Sequence, residues 1–174
     1  WEPVSKLYIG VLKADSDFVC ILFVSVTSGY NIVESKLDSI VFKPLTSFSN
    51  GTQIFSLSYD SKNNDIIFDA VEHNTRNIYK INLGNKNITK IQLDSDSRDP
   101  YYHSGYTYYS SDQTGIYNLY CNGKSITNVI GGAFMPHISS KGKLLYSLYD
   151  NGQYKIALIE NINNSSNLPI NDNV

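Results

Sequence analysis

The sequence predicts an all-β protein, a β-propeller of four-stranded antiparallel blades, on three observations. Strand-forming residues dominate the apolar part: 14 of the 174 residues are Tyr, and Phe, Val, Ile and Thr add to them. No segment holds apolar residues at helical spacing for several turns. A unit of about 40 residues recurs, each copy a series of short strands split by Gly, Asn, Asp and Ser turns.

The repeat shows when three segments are aligned: 57–93 (LSYDSKNNDIIFDAVEHNTRNIYKINLGNKNITKIQL), 100–129 (PYYHSGYTYYSSDQTGIYNLYCNGKSITNV) and 136–160 (PHISSKGKLLYSLYDNGQYKIALIE). Each opens on Tyr59, Tyr102 or Ile138, turns, and enters an apolar strand ending at Phe68, Tyr109 or Tyr146. The steps between these anchors are 41 and 37 residues. A third strand follows, in which Tyr79, Tyr117 and Tyr154 align at steps of 38 and 37 residues. Ile88-Thr89-Lys90-Ile91 and Ile126-Thr127-Asn128-Val129 then match as outer strands, with Pro44-Leu45-Thr46 as an upstream counterpart. Four strands per period of roughly 40 residues is the pattern of propeller blades, which stack face to face and are therefore apolar on both faces. Asp65-Ile66-Ile67-Phe68 and Lys143-Leu144-Leu145-Tyr146 read that way, and Asn122-Gly123 and Asn151-Gly152 mark tight hairpin turns that need positive φ.

About four blades are expected, a small or partial propeller. Residues 1–44 make a less regular blade, with strands at 18–26, 30–35 and 39–43; the next blades cover 45–93, 94–129 and 130–160. No outer strand follows Glu160, and 161–174 is an Asn-rich tail or linker. The chain opens on Trp1-Glu2 and reads as a piece of a longer parent protein.

Pro136-His137-Ile138-Ser139-Ser140-Lys141-Gly142-Lys143, followed by Tyr146-Ser147, resembles the TolB-type propeller repeat, a relative of WD-type blades. So does Asp99-Pro100-Tyr101-Tyr102-His103-Ser104-Gly105, followed by Tyr109-Ser110-Ser111-Asp112-Gln113-Thr114-Gly115-Ile116-Tyr117. The resemblance spans about 45–160. It departs from the repeat where these two units lack the turn Asp and where the turn after Tyr102 is short.

Composition narrows the function. Net charge is −2, with no basic stripe, so neither nucleic-acid binding nor a polybasic membrane patch is expected. The most apolar run, Phe18–Val24, is far shorter than the roughly 20 residues of a spanning helix. Cys20 and Cys121 stand a hundred residues apart with no metal-ligand spacing; Cys20 reads as a buried thiol. No nucleophile elbow, zinc-protease motif or phosphate loop is present, and Glu72-His73 reads as a solvated turn pair. No cofactor is expected.

The candidate binding residues are Arg98, Tyr101, His103, Met135 and His137, set where an innermost strand borders the central channel. Both histidines follow a repeat-start Pro and are read as lying at the beginning of that strand. Asp94, Asp96 and Asp99 are weak metal candidates, since alternate Asp residues can converge on Ca²⁺; the preferred reading is an inter-blade connector whose Asp side chains accept backbone N–H bonds, and no metal is expected. The expected function is a non-enzymatic propeller that binds a protein or peptide, periplasmic or extracellular. Self-association through open blade edges is a further expectation. The alternatives are the substrate-binding or gating propeller of a larger peptidase or other hydrolase, and a carbohydrate-binding propeller.

Overall fold

The computed structural model describes residues 7–12, 18–25, 29–36, 43–48, 51–72, 74–91 and 95–162. These contain fifteen strands in four antiparallel sheets, each a simple meander in chain order. Blade 1 is β1 (Leu7–Leu12), β2 (Phe18–Ser25), β3 (Gly29–Lys36) and β4 (Lys43–Pro44). Blade 2 is β5 (Gln53–Asp60), β6 (Asp65–Glu72), β7 (Thr75–Asn82) and β8 (Ile88–Lys90). Blade 3 is β9 (Ser97–His103), β10 (Tyr106–Ser111), β11 (Asn118–Cys121) and β12 (Lys124–Ser125). Blade 4 has three strands among the described residues, β13 (Ala133–Ile138), β14 (Leu144–Asp150) and β15 (Gln153–Ile159).

The blades pack face to face, because strand alternation sends successive side chains to opposite neighbours. In β6 the even positions Ile66, Phe68 and Ala70 pack with Ile32 and Leu45 of blade 1. The odd position Ile67, with Ile78, packs against Tyr109 and Tyr120 of blade 3. Tyr108, Leu119 and Ile126 of blade 3 then meet Ala133, Ile138 and Leu144 of blade 4, with Ile162 closing that core. The first strands β5, β9 and β13 lie side by side, and the Tyr102 N–H donates to Ser58 Oγ at 2.8 Å between two of them.

Hairpin turns follow their residues. Asn122-Gly123, Asn151-Gly152 and Ser104-Gly105 all take positive φ at both central positions, the twist a two-residue hairpin needs. In blade 2 the turn Asp is present: Asp60 accepts from the N–H groups of Lys62 (3.0 Å) and Asn63 (3.1 Å). Ser139 takes the analogous place in blade 4, its Oγ accepting from Lys143 N–H at 3.1 Å.

Two alignments shift. Asp69 pairs with Ile78, Ser110 with Leu119 and Ser147 with Ile156. Arg76, two residues before Ile78, is therefore the counterpart of Tyr117 and Tyr154; Tyr79 matches Tyr120 instead. The outer strand shifts likewise: Ile91 N–H donates to Ile78 O (2.7 Å) as Ile126 N–H does to Leu119 O (2.8 Å). The Ile-Tyr pair misleads because Ile78-Tyr79-Lys80-Ile81 offers several apolar matches, whereas backbone pairing permits one register. Asn77-Ile78-Tyr79 and Asn118-Leu119-Tyr120 carry the correct signal, 41 residues apart like Phe68 and Tyr109.

Candidate functional site

The inner strands begin earlier than their prolines suggest. β9 starts at Ser97 and β13 at Ala133, and each has an irregularity in pairing around Asp99-Pro100 or Met135-Pro136. A bulge on an edge strand suits Pro, which has no N–H to give a ladder. Asp99 (φ 56) and Met135 (φ 52) take the left-handed conformation there. The histidines consequently sit towards the ends of these strands, not at their beginnings. His103 closes β9 beside the Ser104-Gly105 turn, and His137 is next to last in β13.

Arg98 and Met135 share a cleft; the other three candidates do not reach it. Tyr101 and His137 pack on each other between blades, ring centroids 4.5 Å apart, and Tyr101 Oη donates to Ile138 O at 3.1 Å. His103 lies at the opposite end of β9. The cleft holds about 380 Å³ and is lined by Arg76, Arg98, Asp99, Tyr117, Phe134, Met135, Ser147 and Tyr154.

Its walls repeat from blade to blade. One position beside the inner-strand bulge is Phe55, Arg98 or Phe134; the facing position at the start of the third strand is Arg76, Tyr117 or Tyr154. In blade 2 the Arg76 guanidinium lies 4.1 Å from the centre of the Phe55 ring. In blade 3 the pair is reversed, with Arg98 over the Tyr117 ring at 4.4 Å. In blade 4 two rings replace it, Phe134 and Tyr154 at 6.3 Å. Tyr117 to Phe134 (5.1 Å) and Tyr154 to Tyr149 (4.9 Å) extend the series. A ladder of flat π and guanidinium faces thus crosses three blades.

A buried ionic chain supports it. Asp69 is fully buried on β6 and accepts from Ser56 N–H (2.7 Å), Asp99 N–H (3.2 Å) and Arg76 Nε. Arg76 also reaches Asp99 Oδ1 at 3.4 Å, and Asp99 Oδ2 accepts from Met135 N–H at 3.3 Å. Carboxylates therefore satisfy the bulge N–H groups of three successive blades. Burial pushes the Asp69 and Asp99 carboxyls above their ordinary value, against the pull of Arg76. Arg98 is held by Asp96 (3.3 Å) and Tyr117 Oη (2.5 Å), while its buried Nε has no partner among the described residues.

The Asp cluster is dispersed. Asp96 faces Arg98, Asp99 faces Arg76, and Asp94 lies outside the described residues. Among the described residues no three of His, Cys, Asp and Glu gather to hold a metal ion. Glu72 accepts from Tyr79 Oη at 2.8 Å, and His73 is outside the described residues. Cys121 is a free thiol whose pKa burial raises; the side chain of Cys20 is not described. No helix among the described residues is long and apolar enough to cross a membrane.

No protein-family model and no curated protein sequence matches the chain. Solved structures do. TolB from Acinetobacter baumannii superposes with a TM-score of 0.73 at 18% identity, covering 92% of this chain and 42% of that one. A putative TolB from Agrobacterium tumefaciens gives 0.71 at 14% identity, covering 84% and 58%. A structure from a study of two prolyl endopeptidases gives 0.63 at 8% identity, covering 88% of this chain and 26% of that one. The chain spans about half the length of the TolB structures it matches. Four meander sheets stacked through shared cores, and superposable on those structures, give this chain the blade architecture of a TolB-like β-propeller fold.

Proposed function

We propose that the chain is a non-enzymatic propeller module that binds a protein or peptide partner in the bacterial cell envelope, through the cleft over blades 2 to 4. The observation that carries this reading is the ladder Phe55/Arg76, Arg98/Tyr117 and Phe134/Tyr154. Its flat faces offer a peptide stacking surface, and the arginines present donors to backbone carbonyls. Asp69 and Asp99 hold the frame still, so little entropy is lost on binding. Likeness to TolB structures supports the envelope location by analogy of fold.

Selection of a random peptide library on the immobilised chain tests the reading. Enriched peptides are expected to lose most of their affinity on Tyr154→Ala and Arg98→Ala, and to keep it on His103→Ala. Enriched peptides indifferent to the first two variants would place binding elsewhere. The likeness to a prolyl endopeptidase structure favours a second reading, a gating or substrate-binding propeller of a larger peptidase. Peptides captured by the cleft and then cut by a catalytic domain encoded beside this chain would select that reading.

A further inference from the structure

A second cavity opens beside the cleft, between blades 2 and 3. It holds about 480 Å³ and is lined by Asn74, Thr75, Ser95, Asp96, Asp112 and Gln113, every one of them polar. Thr75 precedes Arg76 at the start of β7, Ser95 and Asp96 lead into β9, and Asp112 follows the end of β10. The cavity therefore adjoins the cleft along Arg76 and Arg98. Asp96 belongs to both walls, since its Oδ1 accepts from Arg98 at 3.3 Å.

The two carboxylates are fixed by their surroundings. Asp96 N–H donates to Asp112 Oδ1 at 2.9 Å, and Asp112 N–H donates to Asp96 O at 3.1 Å. Ser95 Oγ lies 2.9 Å from Ser111 Oγ, which accepts from Ser97 Oγ at 2.9 Å; Ser97 and Ser111 are fully buried. A ligand thus meets groups already in place. Their charge is unbalanced. Around cavity and cleft, the carboxylates of Asp69, Asp96, Asp99 and Asp112 stand against the guanidinium groups of Arg76 and Arg98. Both cations are engaged, Arg76 by Asp69 and Asp99, and Arg98 by Asp96. Asp112 has no ion-pair partner among the described residues.

We infer that this cavity receives a basic side chain, Lys or Arg, of the peptide held in the adjoining cleft; the inference rests on that peptide reading. Charge complementarity selects the occupant. An ammonium or guanidinium group carries donors only, and the cavity offers it carboxylate, amide and hydroxyl oxygens. An acidic side chain would be repelled, and an apolar one would take water from six polar side chains and return no hydrogen bonds. A neutral saccharide would match the amides and hydroxyls but leave Asp112 without a counter-ion. The partner is therefore a segment in which a flat or apolar side chain for the cleft neighbours a basic one for the cavity.

Two titrations test this. In the first, Nα-acetyl-arginine amide or Nα-acetyl-lysine amide is added at millimolar concentration to the isotope-labelled chain, and backbone amide signals are followed. Either probe is expected to move Thr75, Asp96, Asp112 and Gln113; Nα-acetyl-glutamine amide is expected to move none of them. Asp112→Asn, whose Oδ1 can still accept the Asp96 N–H, is expected to abolish the response. In the second, a library-selected peptide is compared with a copy whose basic residue is replaced by Gln. Asp112→Asn is expected to weaken the parent peptide about fivefold, the scale of a partly exposed ion pair, and the copy not at all. Glu160→Gln, the same charge change on the exposed residue after β15, is expected to keep full affinity. Selected peptides that lack a basic residue, or bind wild type and Asp112→Asn equally, overturn the inference; if they still lose affinity on Arg98→Ala, the peptide reading stands without it. Should no peptide be selected, that reading fails and the amide probes decide: cavity signals that move support a basic ligand, and signals that stay contradict it. Movement of those signals by maltose and by neither basic probe overturns the inference in favour of a saccharide.

Discussion

Asp69 and Asp99 do the most at the residue scale, and their titration has a sign that can be checked. Both carboxyls are raised above 3.8, first by burial. The folded chain then binds more protons than the unfolded chain between that value and the folded pKa values. Their contribution makes stability fall as pH rises through this window and level off above it. Asp99→Asn removes one group, so a series of urea midpoints from about pH 4 to about pH 7 should show a shallower fall than the wild type. Asp69→Ala is a different matter, since it takes from the Arg76 guanidinium, only 14% exposed, the nearer of its two carboxylates. It should cost about 3–5 kcal/mol in the same denaturation, much more than Asp69→Asn. Asn118 is a second structural polar residue. Its Oδ1 accepts from Val129 N–H (2.8 Å) and Thr127 Oγ1 (2.9 Å), as Asn31 Oδ1 accepts from Phe48 N–H (2.7 Å) and Thr46 Oγ1 (2.9 Å) in blade 1. The Leu-Thr or Ile-Thr ending of a blade is thus a clamp that ties the outer segment to the third strand.

Elements were legible in the sequence to the degree that local chemistry dictated them. Asn-Gly and Ser-Gly turns set their hairpins, and two-faced apolar strands announced blades that are covered on both sides. The apolar matches in the third strand of blade 2 are degenerate, so the sequence repeat places it three residues away from its backbone register. That slip hid Arg76, the counterpart of Tyr117 and Tyr154, and with it the first rung of the cleft. The bulges at Asp99-Pro100 and Met135-Pro136 were also invisible, since Pro marks either a strand start or a bulge. Arg98 and Met135 line one cleft, while His103 ends its strand instead of beginning it. The Gly131-Gly132 connector carries an element-scale expectation. A Cβ on Gly131 would strike the backbone carbonyl of Tyr149, whose N–H donates to Gly132 O at 2.8 Å. Gly131→Ala should cost roughly 1–3 kcal/mol, lowering the thermal midpoint of the chain by several degrees.

For the whole molecule, stability resides between blades more than within them. Each of the three cores joins two neighbours, so the stack behaves as a chain of nearest-neighbour interfaces. Phe68 is fully buried between blades 1 and 2 and stacks on Tyr79 at 5.6 Å; Phe68→Ala should cost about 3–5 kcal/mol in denaturant unfolding. The same stacking creates the cleft, because only adjacent blades bring Arg76, Asp99, Tyr117, Phe134 and Tyr154 to one place. The most direct test of that account is the affinity of a library-selected peptide for the wild type, Tyr154→Ala and Arg98→Ala, by calorimetry. The account expects each variant to bind at least about tenfold more weakly, a loss of about 1.4 kcal/mol, with the fold unchanged by circular dichroism. Equal affinity for all three proteins would contradict it.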